Sequence, residues 1–341
     1  MNKNTITGID IAKNTFYLIK INQSGTQTER KKLNREQLTK YIAIHKVSTI
    51  AMEACATSHY WGRKFTEMGH KVELLAAQHV KGYLRGQKND YNDARAIAEA
   101  CQHGAIRAVP VKTLEQQDSQ TFLRMRKHIS DERTRLSNHI RGLLAEYGVV
   151  VPQGAAKLRQ ELPLILEDGE IDLTVEFRSL LNRQFYRLLD LDEELAWYTE
   201  QLEIKTKEQE ECKRLMKIPG FGPVVSFAFL SWIGNGQQFK RGRDASAALG
   251  LVPRQFSTGG KERLLGITKR GDKQLRSLMV HGARAVASRA KNNKDKKDKL
   301  SLWIKHLIEK RGFNKAVVAL ANKMARIAWV IVAREEQYKT S

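Results

Sequence analysis

With 341 residues the chain is long enough for two or three packed domains of about 100 to 200 residues each. Its three cysteines, Cys55, Cys101 and Cys212, are odd in number and form no CxxC pair, so neither a disulfide framework nor a zinc site is suggested and a reducing cytosol fits best. The net charge of +22 is concentrated in residues 213–341, which hold 28 Lys and Arg against 8 Asp and Glu, whereas residues 1–212 are nearly neutral.

A basic domain joined to a neutral one is the electrostatic footprint of nucleic-acid binding, with a merely soluble basic surface or an acidic-membrane binder as the alternatives. No apolar run reaches the roughly 18 residues expected of a membrane span, and MNKNTITGID lacks an apolar signal-peptide core. A cytoplasmic protein with no membrane partner is expected.

Residues 5–32 alternate apolar and polar with β-branched enrichment, as TITGIDIA, TFYLIKIN, a turn at NQSGT and a polar strand TERKKL. A short helix over 35–46, a buried strand over 47–54, a helix stopped by Gly69, a strand KVELLA and a further helix follow. Three hairpin strands followed by α, β, α, β, α predict a ribonuclease-H-like α/β domain, and no GxGxxG or Walker A loop supports a nucleotide-binding alternative.

Four acids in this domain are candidates for metal binding. On the first strand Gly8 and Asp10 face opposite to Ile9 and Ile11, so Asp10 is an acid within an otherwise apolar strand. Buried alone, such a carboxylate costs roughly several kcal/mol and calls for a cation or a donor. Glu53 stands at the C-terminal end of the strand IAME, where open α/β sheets gather ligands. In KNDYNDARAIAEA, Asp90 and Asp93 share one face at the start of a helix. Paired carboxylates can hold a hard divalent cation, or simply decorate a helix N-terminus.

A long polar helix over about 113–147 carries Arg and His residues that could contact phosphates or be merely solvated. Over 176–212, Leu181, Leu188, Leu195 and Leu202 recur every seventh residue, with Phe177, Leu191 and Tyr198 on the alternate seam, predicting a coiled coil. Its partner is either the preceding long helix or the same helix of another subunit; the polar look of the former favours the latter.

The segment KIPGFGPVVSFAFLSWIG, 217–234, predicts a helix-hairpin-helix-like element whose turn amides grip a phosphate, or else a tight corner requiring glycine. Beyond LGLVP, a loop holds Ser257, Thr258, Gly259 and Gly260 among Arg254, Lys261, Arg263, Lys269 and Arg270. A hydroxyl beside two glycines leaves room for a phosphate, and nearby cations favour an oxyanion. These cations and glycines, with Arg276 on the next helix, are the candidate nucleic-acid contacts. Residues 291–300 read as a basic solvated loop, and two helices over 301–311 and 313–337 complete a mainly helical C-terminal domain.

The motifs GIDIAKN, AMEA, KNDYNDARAIAEA, IPGFGP, LGLVPRQ, STGGK and ITKRGDKQLR, in this order, resemble the DEDD transposases of the insertion-sequence 110 family, 1111 group, over nearly the whole chain. The resemblance implies a RuvC-like DEDD domain over 1–110, a helical connector with coiled coil over 111–212 and a C-terminal transposase domain over 213–341. It further implies a recombinase guided by a structured noncoding RNA encoded by its own element, acting on donor and target double-stranded DNA. Asp10, Glu53, Asp90 and Asp93 become the catalytic acids, binding Mg²⁺ or Mn²⁺. The nucleophile, forming a covalent protein–DNA intermediate, falls on Ser257 by residue chemistry or on Thr258 by alignment to the glycine. Exchange between two duplexes implies an even homo-oligomer, a tetramer built as a dimer of dimers. The alternatives from the residues alone are a RuvC-type metal-dependent nuclease of branched DNA and a non-catalytic RNA-binding scaffold.

Overall fold

The computed structural model describes residues 5–87, 89–104, 106–293 and 298–339. It divides into two units, one ending at Leu114 and the other starting at Glu115.

The first unit is a mixed α/β domain. Strands β1 (Ile6–Ile11), β2 (Thr15–Ile21) and β3 (Gln27–Asn34) pair antiparallel; helix α1 (Arg35–Ile44) then precedes β4 (Thr49–Glu53), and α2 (Ser58–Glu67) precedes β5 (Lys71–Leu75). Strand β4 pairs parallel with both β1 and β5, so the sheet order is β3-β2-β1-β4-β5. A four-residue helix α3 (Ala77–Val80) and a 3-10 turn at Lys81–Tyr83, which the sequence pattern had not predicted, lead into α4 (Asp90–Gln102).

Strand alternation sorts the side chains into two layers. Ile9, Phe16, Leu18, Ile50 and Met52 pack with Leu38, Ile42, Trp61 and Phe65 of α1 and α2. On the opposite face Ile19 and Ile21 meet Ala94 and Ala98, while Ala51 and Leu75 meet Ala96, Ile97 and Ala100, all on α4. The small alanines let α4 lie close to the sheet. Gly8 and Asp10, two residues apart on β1, belong to this α4-facing side.

The second unit is mainly helical: α5 (Leu114–Ala145), α6 (Ala155–Glu167), α7 (Val175–Glu208), α8 (Glu210–Met216), α9 (Pro223–Ile233) and α10 (Gly242–Ala248) lead to a hairpin of β6 (Pro253–Gln255) and β7 (Leu264–Ile267). Then come α11 (Lys273–Asn292), α12 (Lys299–Arg311) and α13 (Phe313–Ala333). Part of the expected basic loop over 291–300, residues 294–297, lies outside the described residues; its ends belong to α11 and α12.

The leucine seam of α7 is covered within the chain, which corrects the expectation of a subunit contact. Leu181 and Leu188 share a core with Ile140 and Leu144 of α5 and Leu158 and Leu162 of α6. Leu191 and Leu195 join Ile129 of α5, and Leu202 lies in one core with Leu123. Arg133 donates to Asp192 at 2.9 Å and Arg187 to Glu132 at 2.7 Å, fixing the two helices antiparallel. The apolar stripe of α5 was hidden because long cationic side chains flank it and cover apolar surface with their own stems.

Helix α13 also departs from the sequence expectation, being long and apolar enough by composition to cross a membrane. Ten of its side chains are buried, nine of them, from Val317 to Val332, in the core formed with α9, α10, α11 and α12, which accounts for its apolar composition. Arg276 is likewise corrected as a surface contact. It is buried, and its guanidinium donates to the carbonyls of Leu249 at 3.1 Å and Arg270 at 2.6 Å, closing the base of the β6–β7 hairpin.

Candidate active site

Three carboxylates converge between β1 and α4. Asp10, Asp90 and Asp93 each offer an oxygen within 4.8 Å of the other two. Asp10 arrives from near the end of β1, while Asp90 and Asp93 lie in the first turn of α4. That turn is fixed by Asn89, whose side chain accepts from the Asn92 amide at 2.9 Å and whose carbonyl accepts from the Asp93 amide at 3.0 Å. Glu53, at the end of β4, stands outside this trio but close enough that the Asp93 charge acts on it.

The electrostatics of the group are unfavourable without a cation. Partial burial, then the charges of Asp93, Asp90 and Glu53, push the Asp10 carboxyl up to about 6. Partial burial and Asp93 likewise raise Glu53 above the usual carboxylate range. Like charges gathered at this spacing repel unless a proton or a metal ion intervenes. Oxygen-only donors from carboxylates suit a hard divalent cation, so the residues present fit such an ion.

Two features of this site were missed in the sequence. A Cβ built at Gly8 would fall 2.2 Å from the Ala94 carbonyl oxygen and 2.7 Å from the Ala98 amide, so the glycine sets how near α4 comes to Asp10. Its place two residues before an acid on the same strand face was the available signal. Beside the acids, Tyr17, which pairs with Asp10 across the ladder, meets Tyr91 edge-on at 4.8 Å, and the Arg30 guanidinium lies 3.6 Å from the centre of the Tyr91 ring. Arg30 and Lys32 alternate on β3, so the polar strand places cations next to the acidic end of the sheet.

The predicted serine loop is a β-hairpin. Gly259 and Gly260 have φ of 55° and 76°, and the Lys261 amide donates to the Thr258 carbonyl at 3.0 Å, giving a tight turn that needs glycine at both central positions. The Ser257 hydroxyl accepts from Gln255 Nε2 at 3.0 Å and faces the Arg263 amide at 3.4 Å. Thr258 instead opens the turn. Arg254, Lys261, Arg263, Lys269 and Arg270 are all exposed along the hairpin and its base, as is Phe256, an aromatic side chain that the sequence reading passed over. Gln255 was also missed, although it stands only two residues before Ser257 in the chain.

The base of the hairpin is tightly packed. A Cβ on Gly271 would lie 1.9 Å from the Ala248 carbonyl oxygen, and one on Gly250 would lie 2.4 Å from the Arg270 amide. The IPGFGP turn also resolves into packing: Gly220, with φ of 89°, crosses Gly282 of α11 so closely that a Cβ on Gly282 would be 2.2 Å from the Gly220 carbonyl oxygen. The Phe221 amide is spent on Ile218 at 2.9 Å. Close packing of Gly220 on Gly282 accounts for glycine at this corner.

The four acids thus belong to the first unit and the hydroxyls and their cations to the second. Comparison with known proteins finds matching families in both. Residues 7–149 match a family of DEDD transposases and residues 212–299 match the transposase IS116/IS110/IS902 family. The chain is 45% identical to the transposase for insertion sequence element IS1111A of Coxiella burnetii, over 98% of this chain and 91% of that protein. It is 38% identical to a probable family 20 transposase of Pseudomonas aeruginosa, over 97% and 98%. With the transposase for insertion sequence element IS1328 of Yersinia enterocolitica it shares 34% identity, over 97% of each.

Proposed function

Because the chain belongs to the IS116/IS110/IS902 family of insertion-sequence transposases, enzymes that cut and join DNA, we propose that it exchanges DNA strands by a serine recombination reaction in which its acids and its hairpin hydroxyl both take part. The observation that carries this is the convergence of Asp10, Asp90 and Asp93 at the C-terminal end of the central strand of a ribonuclease-H-like sheet. These three, with Glu53, would hold Mg²⁺, or Mn²⁺ in its place. When bound, such an ion supplies charge stabilisation for phosphoryl oxygens.

Ser257 Oγ attacks phosphorus, the Oγ–P ester forms and the P–O3′ bond breaks, leaving a 5′-phosphoserine and a 3′-hydroxyl. Attack of an exchanged strand's 3′-hydroxyl on that ester restores the diester and frees the serine, so no external energy is needed. Gln255 supports Ser257 over Thr258: its amide donates to Oγ, which leaves the serine's own proton free to depart and favours charge on the oxygen. Exposed Arg254, Lys261, Arg263, Lys269 and Arg270 hold the DNA backbone on either side of the hydroxyl.

A guide RNA encoded by the same element selects donor and target largely by base pairing, with the basic second unit holding backbones. The enzyme works as a tetramer in the cytoplasm. A subunit contact is supported by Tyr186, Leu189, Trp197 and Ile204, apolar side chains of α7 left exposed away from the leucine seam.

Trapping tests the chemistry. Denaturing electrophoresis of the protein with cleaved DNA should reveal an adduct that Ser257→Ala abolishes and Thr258→Ala retains. Cleavage that survives Ser257→Ala, with no adduct in the parent, would indicate a metal-dependent nuclease instead. Sequencing RNA that copurifies with the protein tests the guide; absence of an element-encoded RNA removes that part of the proposal.

A further inference from the structure

A cleft of about 820 Å³ lies in the second unit among elements that the proposed reaction does not use. Its walls are the start of α10, one face of α13, Trp303 of α12 and the extended segment after α13. Six cations line it, Arg241, Arg243, Lys323, Arg326, Arg334 and Lys339, against one carboxylate, that of Glu336. Among the described residues only Arg241 of these six has an ion pair recorded, with Asp244 at 4.0 Å. Positive charge gathered in a concave site repels itself, and an anion relieves that repulsion.

Three aromatic side chains line the same cleft, Trp303, Tyr338 and the buried Trp329. The Lys323 ammonium sits 4.7 Å from the Trp303 ring centre, so a ring surface and a cation are presented side by side. A volume of this order suits a small ligand or one or two nucleotides and is too small for a duplex. Cations interleaved with aromatic faces are the composition with which proteins hold unpaired strands, the phosphates on the cations and the bases stacked on the rings.

The walls are fixed by packing rather than by the ligand. A Cβ on Gly242 would lie 2.9 Å from the Arg326 carbonyl oxygen, so α10 meets α13 at backbone distance. Trp329 Nε1 donates to the Gly236 carbonyl at 3.0 Å. Asn322, also in the cleft wall, donates to the Ser246 hydroxyl at 3.3 Å and to the Leu251 carbonyl at 3.1 Å. Leu251 precedes β6 by two residues, so the cleft and the root of the Ser257 hairpin share a wall.

We propose that this cleft holds an unpaired nucleotide of a polynucleotide strand, its phosphate among Arg243, Lys323 and Arg326 and its base against Trp303 or Tyr338. The inference rests on the nucleic-acid role proposed above and adds a site for single-stranded substrate to it. RNA and melted DNA offer the same phosphate-and-base chemistry, and the experiment separates them.

Fluorescence anisotropy of the full-length protein would be measured with a single-stranded RNA, the DNA strand of the same sequence, and the corresponding duplex DNA. Trp303→Ala and the exposed pair Arg243→Ala/Arg326→Ala should each weaken single-strand binding roughly tenfold or more, while duplex binding changes less than about twofold. Trp303→Phe, which keeps a stacking face, should retain most of the affinity. The single strand that suffers the greater loss identifies the source, RNA or DNA. Equal losses on single strands and duplex, or no loss in either variant, overturn the site while leaving the transposase reading intact. A parent protein that binds none of the three probes overturns both.

Discussion

Gly8 of β1 lies against the Ala94 carbonyl of α4 so closely that a Cβ at position 8 would sit 2.2 Å from that oxygen. The obstacle is helix backbone, which cannot rotate aside as a flexible side chain could. Any substitution must therefore push α4 away from β1, and Asp90 and Asp93 move with it. Gly8→Ala is expected to lower stability by about 1–3 kcal/mol, the usual cost of overpacking a filled core. It should also abolish saturable Mn²⁺ binding by calorimetry in the fraction that remains folded at low temperature. Unchanged metal affinity would show that α4 does not set the carboxylate spacing.

Asp10 gives the first unit a stability that depends on pH. Its carboxyl titrates near 6 in the folded protein against an ordinary value of 3.8, so between these values the folded state binds more protons than the unfolded one. Stability from this group is fully present below pH 4 and is lost as pH rises through 6. After allowance for screening by water, the loss is about 1 kcal/mol. Asp10→Asn should therefore raise the melting temperature of metal-free protein by a few degrees at pH 7.5 and leave it unchanged at pH 4. Added Mg²⁺ should stabilise the parent and not the variant. A variant less stable than the parent at pH 7.5 without metal would contradict the repulsion described here.

Much of the acidic site was legible in the sequence because strand and helix periodicities are local. Alternation along β1 put Asp10 opposite Ile9, and three-residue spacing put Asp90 and Asp93 on one face of α4. The approach of α4 to β1 was not legible, since it depends on Gly8 meeting a helix more than 80 residues away. The hairpin is legible in part: two glycines between RQFST and KERLLGI follow the turn-and-strand pattern, which competes with their reading as room for a phosphate. The partner of the leucine seam escaped for a different reason. In α5 the apolar positions Leu123, Ile129, Leu136, Ile140 and Leu144 are diluted by arginines and histidines, and only packing reveals which face they share.

The two apolar faces of α7 should separate by mutation. Leu188 is fully buried against α5 and α6, so Leu188→Ala leaves a cavity and is expected to cost about 2–5 kcal/mol by chemical denaturation, without changing the mass of the folded assembly. Trp197 and Ile204 are exposed within the chain, so replacing both with Glu should leave the stability of the fold within about 0.5 kcal/mol. Light scattering should nevertheless report a smaller assembly for the double variant. If the assembly is unchanged, the subunit contact lies elsewhere.

Gln255 offers a test of how the hairpin serves its hydroxyl. From two residues earlier in the chain, the side-chain amide donates to Ser257 Oγ at 3.0 Å, and nothing about that contact requires DNA. Its loss should leave the grip of the surrounding arginines on DNA backbone untouched. Gln255→Ala is therefore expected to slow adduct formation about tenfold at saturating DNA, in line with the loss of one hydrogen bond to a developing charge, while Kd for duplex DNA is unchanged. Gln255→Glu replaces a donor with a negatively charged acceptor beside the same oxygen and should be slower still. A variant with parental rate, or one whose loss resides wholly in Kd, would place Gln255 in hairpin folding rather than in orientation of the nucleophile.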